Sequence, residues 1–315
     1  MKQELLNILQ CPVCGGIVSL DKINKTVNCK DCHNNFPVVD DIIVFLTPKK
    51  LQEFLKEQWG KELVKEKFGT FVHSNDTLLN LQKIADKVKL EALQKNKEYF
   101  NLDPDIPKDL ERAINQSVEV LAEKAYVKTA RRILDWPTGG GFFLKYLVNI
   151  VQSDTLIIAT DINFGQLAAT KAYLDQAGKG RNLSFVVCDA RYMPFQNNVF
   201  QSVTAWGGTV EIPDAFLAVK ESYRVLEEKK WFGISGDLYK ENSESFRIAK
   251  KLGLDSLVTR ERLEKFLEKT GFANLSYNIL YEGFDEDLST PQEERCPLPA
   301  PGDWFSHIVA SGQKT

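Results

Sequence analysis

The spacing of hydrophobic and polar residues divides the chain into three regions. Residues 1–47 alternate short apolar runs with turns, and residues 48–124 place apolar residues every three or four positions among lysines and glutamates. Residues 125–315 alternate strand-like runs such as "TLIIAT" with helix-like runs such as "NFGQLAATKAYLDQA". These periods predict a small strand-rich domain, a helical linker or substrate lid, and a larger α/β domain.

The α/β region predicts a doubly wound, Rossmann-like sheet. Five strand-like runs alternate with helix-like runs from residue 131 onward, as expected for parallel strands joined by crossover helices. Two late strand-like runs, "NLSYNILYEG" and "WFSHIVASG", are separated by a loop and favour an antiparallel pair at the sheet edge.

Composition and charge narrow the class of protein. The chain has 315 residues, of which 43% are hydrophobic and 26% charged, with a net charge of −3. The composition is ordinary for a globular protein. The net charge does not favour a nucleic-acid partner, although it leaves open a local basic patch on the surface. The opening "MKQELLNILQ" is too polar for a signal peptide, and no apolar run reaches about 18 residues. We therefore expect a cytoplasmic protein without membrane insertion.

Four of the six cysteines follow the pattern C-x2-C-x14-C-x2-C. They are Cys11, Cys14, Cys29 and Cys32. Two such knuckles are typical of tetrahedral zinc, and a site closed by four thiolates favours a structural metal. His33 is an alternative ligand, but the spacing favours Cys32, and redox disulfides are the less favoured use of the four cysteines. Cys188 and Cys296 are expected to be free thiols.

The segment "ILDWPTGGGFFLKYL" (133–147) combines a strand, an acid, a glycine turn and a helix. In α/β sheets such a turn binds a nucleotide-like ligand at the N-terminus of the helix. Gly139 and Gly141 fit a dinucleotide motif, but Leu144 stands where its third glycine belongs, which argues against NAD.

Acidic residues end three consecutive predicted strands. Asp135 ends the first, Asp161 the second and Asp189 the third. A carboxylate at the second position can accept hydrogen bonds from both ribose hydroxyls, and one at the third suits an adenine amino group. Because the carboxyl ends of parallel strands meet at one crevice, the three acids predict a single nucleotide-like site.

This constellation resembles the class I S-adenosylmethionine-dependent methyltransferases, and among them the ubiquinone/menaquinone-biosynthesis-like branch, over about residues 125–315. Residues 135–141 match the acid and glycine loop of that family, with Pro137 in place of its first glycine. Asp189-Ala190 followed by "MPF" matches its adenine-side motif. The resemblance implies a seven-stranded sheet with an antiparallel last strand, and S-adenosyl-L-methionine as cofactor.

The resemblance also implies which residues contact the cofactor. They are Asp135, Pro137, Thr138, Gly139, Gly141, Asp161, Ile162, Asp189, Ala190 and Trp206. For Trp206 two roles are open: packing near the sulfonium, since an aromatic face attracts a cation, or ordinary core packing.

Methyl transfer needs few catalytic side chains, because the sulfonium is already activated and the protein mainly aligns the reactants. A general base is required only when the acceptor must lose a proton. Glu211 and Asp237 are the weak candidates for that role. His73 and His307 show no partner pattern in the sequence and are expected to be structural or exposed.

The segments "ELLNILQCPVCGGIVSL" and "FPVVDDIIVFL" resemble the Trm112-like zinc domain, over about residues 1–47. Small free-standing members of that family activate methyltransferases. The zinc-bearing rRNA guanine methyltransferases are an alternative, ranked second because their zinc site usually ends in a histidine.

Three functions follow from these patterns. The first is methyl transfer to an unidentified acceptor, expected to be a small molecule, with the zinc domain stabilising the protein or helping to dock the substrate. The second is an RNA methyltransferase whose zinc domain contacts RNA; residues 1–60, with 7 basic and 7 acidic residues, show no basic excess to support it. The third is a catalytically silent protein that binds the cofactor or a partner. The sequence leaves the oligomeric state open.

Overall fold

The structure is a computed structural model, and it describes residues 3–46, 77–95, 106–285 and 298–315. The first predicted helix of the linker, His73 and Cys296 lie outside these residues.

The N-terminal region is a short helix followed by an antiparallel meander. Its elements are α1 (Gln3–Ile8), β1 (Val18–Asp21), β2 (Thr26–Cys29), β3 (Asn35–Val39) and β4 (Ile42–Val44). Each strand pairs with the next in antiparallel register. Asp40 and Asp41, both with positive φ (49° and 62°), form the two-residue turn between β3 and β4. Positive φ at both central residues is the geometry of the tight hairpin turn, which suits short polar side chains.

The remaining elements are two linker helices and then a series of strands and helices that alternate in part, as the sequence predicts. They are α2 (Thr77–Lys95), α3 (Lys108–Lys124), β5 (Arg132–Asp135), α4 (Phe142–Ile150), β6 (Leu156–Asp161), α5 (Phe164–Gln176), β7 (Leu183–Val187), β8 (Phe200–Trp206), α6 (Phe216–Val225), β9 (Leu226–Tyr239), α7 (Glu244–Lys251), α8 (Arg260–Thr270), β10 (Phe272–Phe284) and β11 (Trp304–Lys314). Every residue of β6 and β7 is buried, as expected for central strands covered on both faces.

Strands β5 to β11 form a doubly wound arrangement in the order β7-β6-β5-β8-β9-β11-β10. Strands β5 to β9 are parallel, and β11 is antiparallel to both of its neighbours. The predicted seven strands with an antiparallel last strand are therefore confirmed. The last two strands form the predicted antiparallel pair at the sheet edge, with β10 outermost and β11 between β9 and β10.

The N-terminal strands belong to the same sheet. Strand β4 pairs in parallel with β7, and the Phe45 amide donates a hydrogen bond of 2.8 Å to the Val187 carbonyl. The described residues therefore form one sheet of eleven strands, four more than the resemblance implied. The physical reason is that β7 would otherwise be an edge strand with exposed amides and carbonyls, and β4 covers that edge.

The helical linker packs against both parts of the sheet. Leu81 and Ala85 of α2 lie in one buried cluster with Val39 and Ile42 of the N-terminal strands and with Leu167 of α5. Helix α3 lies against β9, β10 and β11. Within the described residues, no helix combines the length and apolar character needed to cross a membrane.

Candidate functional site

The glycine turn between β5 and α4 exposes backbone at the carboxyl edge of the sheet. Gly139 and Gly141 have positive φ (52° and 82°), a conformation that favours glycine. Pro137 lies outside that region of φ, so the proline found in place of the family's first glycine fits its position. Among the described residues, a Cβ at Gly140 would meet nothing within 4 Å, and one at Gly139 would meet only the Gln166 side chain at 4.0 Å. The turn is therefore a cradle into which a ligand can approach the backbone.

Asp135 lies beneath this turn and is 1% exposed. Its Oδ2 accepts a hydrogen bond of 2.8 Å from the Thr138 hydroxyl, and its Oδ1 accepts one of 3.2 Å from the Thr204 hydroxyl. Burial raises the pKa of Asp135 to about 7. Asp135 thus supports the turn from inside the protein, and Thr138 links Asp135 to the turn. Direct contact of Asp135 or Thr138 with the cofactor stays a prediction.

Asp161 is at the mouth of the same turn. Its Oδ2 accepts a hydrogen bond of 2.8 Å from the Gly139 amide, and its Oδ1 accepts one of 2.8 Å from the Asn163 amide. Burial raises the pKa of Asp161 to about 6, and the negative charge of Glu211 adds to the increase. Ile162 follows directly and is half-buried. The two acids that the sequence places on neighbouring strands are therefore joined through one loop.

Asp189 follows β7 and is engaged by a neighbour that the sequence analysis missed. The Arg191 guanidinium binds both carboxylate oxygens, with Nη2 to Oδ2 at 2.8 Å and Nε to Oδ1 at 3.0 Å. Ala190 begins the short 3₁₀ turn that carries this arginine. An i, i+2 arginine is too common a pattern to signal such a contact. The adenine-side role of Asp189 stays a prediction.

Trp206 ends β8 beside the cradle. Its indole Nε1 donates a hydrogen bond of 2.8 Å to the Ser117 hydroxyl of α3, and its ring stacks on Phe142 with the centroids 4.8 Å apart. These contacts give Trp206 a packing role, and the sulfonium contact stays a prediction.

The two weak catalytic candidates lie on the side of β8 and β9. Glu211 ends a short 3₁₀ turn after β8 and is close enough to Asp161 to influence its pKa. Asp237 lies inside β9, which continues to Tyr239. His307, which the sequence analysis left without a partner, is 2.7 Å from Asp237 through Nδ1. No local pattern could reveal this pair, since 70 residues separate its members.

The four N-terminal cysteines converge on one point. Their Sγ atoms all lie within 4.8 Å of one another, with Cys11 and Cys32 3.6 Å apart and Cys14 and Cys29 3.5 Å apart. Sulfur atoms around a tetrahedral zinc with bonds of about 2.3 Å are about 3.8 Å apart. The cluster therefore fits zinc, and His33 lies outside it.

Comparison with known families gives one match in each of the two regions. Residues 133–229 match the family model "Methyltransferase domain", and residues 2–41 match "Trm112p-like protein". The chain therefore carries a methyltransferase domain behind a Trm112p-like domain.

Two groups of curated relatives are similar to the methyltransferase domain. The ubiquinone/menaquinone biosynthesis C-methyltransferase of Cellvibrio japonicus is 32% identical over 105 residues, which are 33% of this chain and 42% of that protein. The sterol 24-C-methyltransferase of Aspergillus fumigatus is 29% identical over 208 residues, which are 63% of this chain and 52% of that protein. The chain thus spans about half of these curated relatives or less.

Solved structures confirm the fold of the methyltransferase domain. Phosphoethanolamine N-methyltransferase 2 of Haemonchus contortus superimposes with a TM-score of 0.50 at 19% identity, covering 64% of this chain and 52% of that one. A geranyl diphosphate methyltransferase superimposes with a TM-score of 0.50 at 10% identity, covering 64% and 77%.

The Trm112p-like domain contacts β7 and the loop that follows it in the methyltransferase domain. Besides the pairing of β4 with β7, two backbone hydrogen bonds of 2.9 Å join the domains. The backbone N–H of Gln10 donates to the Pro194 carbonyl, and the backbone N–H of Gln196 donates to the Ile8 carbonyl. The segment that forms these bonds, residues 194–196, begins only five residues after Asp189. The N-terminal domain therefore supports the loop that carries Asp189 and Ala190, which are predicted to lie on the adenine side.

Proposed function

We propose that this chain transfers a methyl group from S-adenosyl-L-methionine to a small-molecule acceptor. The observation that carries the proposal is the joining of the open glycine turn to Asp161 through the Gly139 amide. This hydrogen bond holds a buried carboxylate next to backbone that carries no side chains. A nucleoside with a charged tail needs both features, the carboxylate for its ribose and the bare backbone for close approach of its tail.

The chain's own residues fit this cofactor. Each oxygen of Asp161 accepts one backbone hydrogen bond, and a carboxylate can accept about four, so acceptor capacity remains for two ribose hydroxyls. Above pH 6 the group is mainly ionised, which favours accepting bonds from hydroxyls. When bound, the cofactor supplies an activated methyl group, and the protein aligns the acceptor and excludes water.

The relatives support a small acceptor. The matched proteins are described as acting in ubiquinone and menaquinone biosynthesis and on sterols, and one structural neighbour is described in complex with S-adenosyl-L-methionine. All of these acceptors are small organic molecules. In this proposal the cysteine cluster holds a structural zinc, since four thiolates leave no open coordination position.

Calorimetric titration with S-adenosyl-L-methionine tests the proposal. Wild type should bind, and Asp161→Ala should lose at least about tenfold in affinity, because hydrogen bonds to a charged group contribute roughly 1.5–3 kcal/mol. Circular dichroism of Asp161→Ala against wild type controls for misfolding. Asp154→Ala, which alters an exposed acid in the turn before the same strand, is the matched control.

Two results would contradict the proposal. One is wild type that binds no cofactor. The other is an Asp161→Ala variant with the affinity of Asp154→Ala.

A further inference from the structure

The pair formed by Asp237 and His307 lies outside the cofactor-binding set. Strands β9 and β11 pair directly at these two residues, so both side chains project from the same face of the sheet. Nδ1 of His307 is 2.7 Å from Oδ1 of Asp237. His307 is 6% exposed, whereas the Asp237 side chain is 31% exposed.

The position of the pair follows from the register of the sheet. Ser235 of β9 pairs with Trp206 of β8. Asp237 is two residues further along β9, so it projects from the same face as Ser235, about 7 Å beyond that residue. Gly236 between them lies against Thr209, at the start of the turn that ends in Glu211. The pair therefore lies beside the carboxyl edge of β8, next to the predicted place of the methyl group.

The hydrogen bonding of His307 defines its tautomer. Among the described residues, Nε2 is buried and has no hydrogen-bond partner. A proton on Nε2 would be a buried donor without an acceptor, which is costly, whereas a bare nitrogen is less so. The proton therefore belongs on Nδ1, from which it is donated to Asp237. Within the part of the chain that the structure describes, this bond occupies Oδ1 and leaves Oδ2 of a partly exposed carboxylate for another donor.

We propose that Asp237 is the general base of methyl transfer and that His307 positions it, an inference that rests on the function proposed above. The acceptor then belongs to a class whose attacking atom carries a removable proton, such as a hydroxyl or an acidic carbon. Its proton moves to Oδ2 of Asp237, and the electron pair left behind forms the bond to the methyl carbon. The electrons of the carbon–sulfur bond return to sulfur, which becomes a neutral thioether, and the proton leaves Asp237 to solvent.

A purely structural pair would be built differently. A pair that only joined two strands would gain from a satisfied Nε2 or from an apolar residue at position 307. A carboxylate fixed at one oxygen and open at the other instead has the arrangement of a base with an orienting partner.

The test uses the full chain and methyl-labelled S-adenosyl-L-methionine with the small-molecule fraction of a cell extract. Asp237→Asn should lower the turnover rate on the order of 100-fold and leave cofactor affinity by calorimetry within twofold. His307→Phe should lower the turnover rate less, without raising the KM for the cofactor. Formate should restore part of the activity of Asp237→Ala, an effect that a structural role would not give. Ser306→Ala, on the opposite face of β11, is the matched control.

The outcomes separate the two proposals. Turnover of Asp237→Asn within twofold of wild type would overturn the assignment of the base. Cofactor binding by wild type without methyl transfer to any fraction would overturn it as well and leave the cofactor site standing. Absence of cofactor binding by wild type would overturn the proposed function itself.

Discussion

Replacing Asp135 by asparagine should change how the stability of this protein depends on pH. Asp135 is 1% exposed and accepts hydrogen bonds from the hydroxyls of Thr138 and Thr204. An asparagine has nearly the same shape, and a hydroxyl can accept as well as donate, so both contacts can persist. The substitution therefore removes the titration with little change in packing.

The sign follows from the raised pKa. Burial raises the pKa of Asp135 from 3.8 to about 7, so between these values the folded state binds more protons than the unfolded state. The free energy of unfolding then decreases as the pH increases through this interval. One pKa unit corresponds to about 1.4 kcal/mol, and the part of the shift that falls between pH 5 and pH 8 amounts to roughly 2–3 kcal/mol.

Urea unfolding at pH 5 and pH 8 with zinc present measures this contribution. We expect Asp135→Asn to lose roughly 2–3 kcal/mol less stability than wild type between the two pH values. The pH dependence of the zinc thiolates is common to both proteins and cancels in the difference. Asp154→Asn, at an exposed position, should behave as wild type. The reasoning is refuted if wild type and Asp135→Asn lose the same stability between pH 5 and pH 8.

Two further predictions concern the N-terminal domain. Removal of zinc by a chelator should lower the melting temperature of the whole chain in calorimetry, and so should Cys11→Ser, because β4 belongs to the common sheet. An unchanged melting temperature would show the metal to be dispensable. Ile43→Ala, at a fully buried position of the β4–β7 pairing, should cost about 2–5 kcal/mol of unfolding free energy. The control is Ile23→Ala, at a position that is 93% exposed. The shared sheet would be contradicted if the two domains unfolded separately and Ile43→Ala left the larger one unaffected.

Several features of the site were readable in the sequence because they depend on local geometry. The glycine turn at residues 139–141 and the acids that follow the strands need only the order of neighbouring residues. The cysteine spacing likewise predicted a cluster whose sulfur atoms now lie within 4.8 Å of one another. The residues of these motifs are close in the chain or are brought together by the regular alternation of strand and helix.

Other features depend on contacts between distant segments. The sequence could not place Arg191 on Asp189, nor could it decide whether Trp206 packs against α3. A side chain of suitable length has many candidate partners, and only the packed structure selects one. The same holds for His307 and Asp237, which are joined only by the register of β9 with β11.

The sequence by itself therefore determined the α/β class of the larger region and the members of the cysteine cluster, because hydrophobic period and residue spacing are properties of neighbouring residues. Only the tertiary structure decided that the two domains share a sheet and that His307 reaches Asp237. Pairing of an exposed strand edge depends on which backbone lies next to it, and β4 is separated from β7 by more than a hundred residues. No pattern within either segment carries that information.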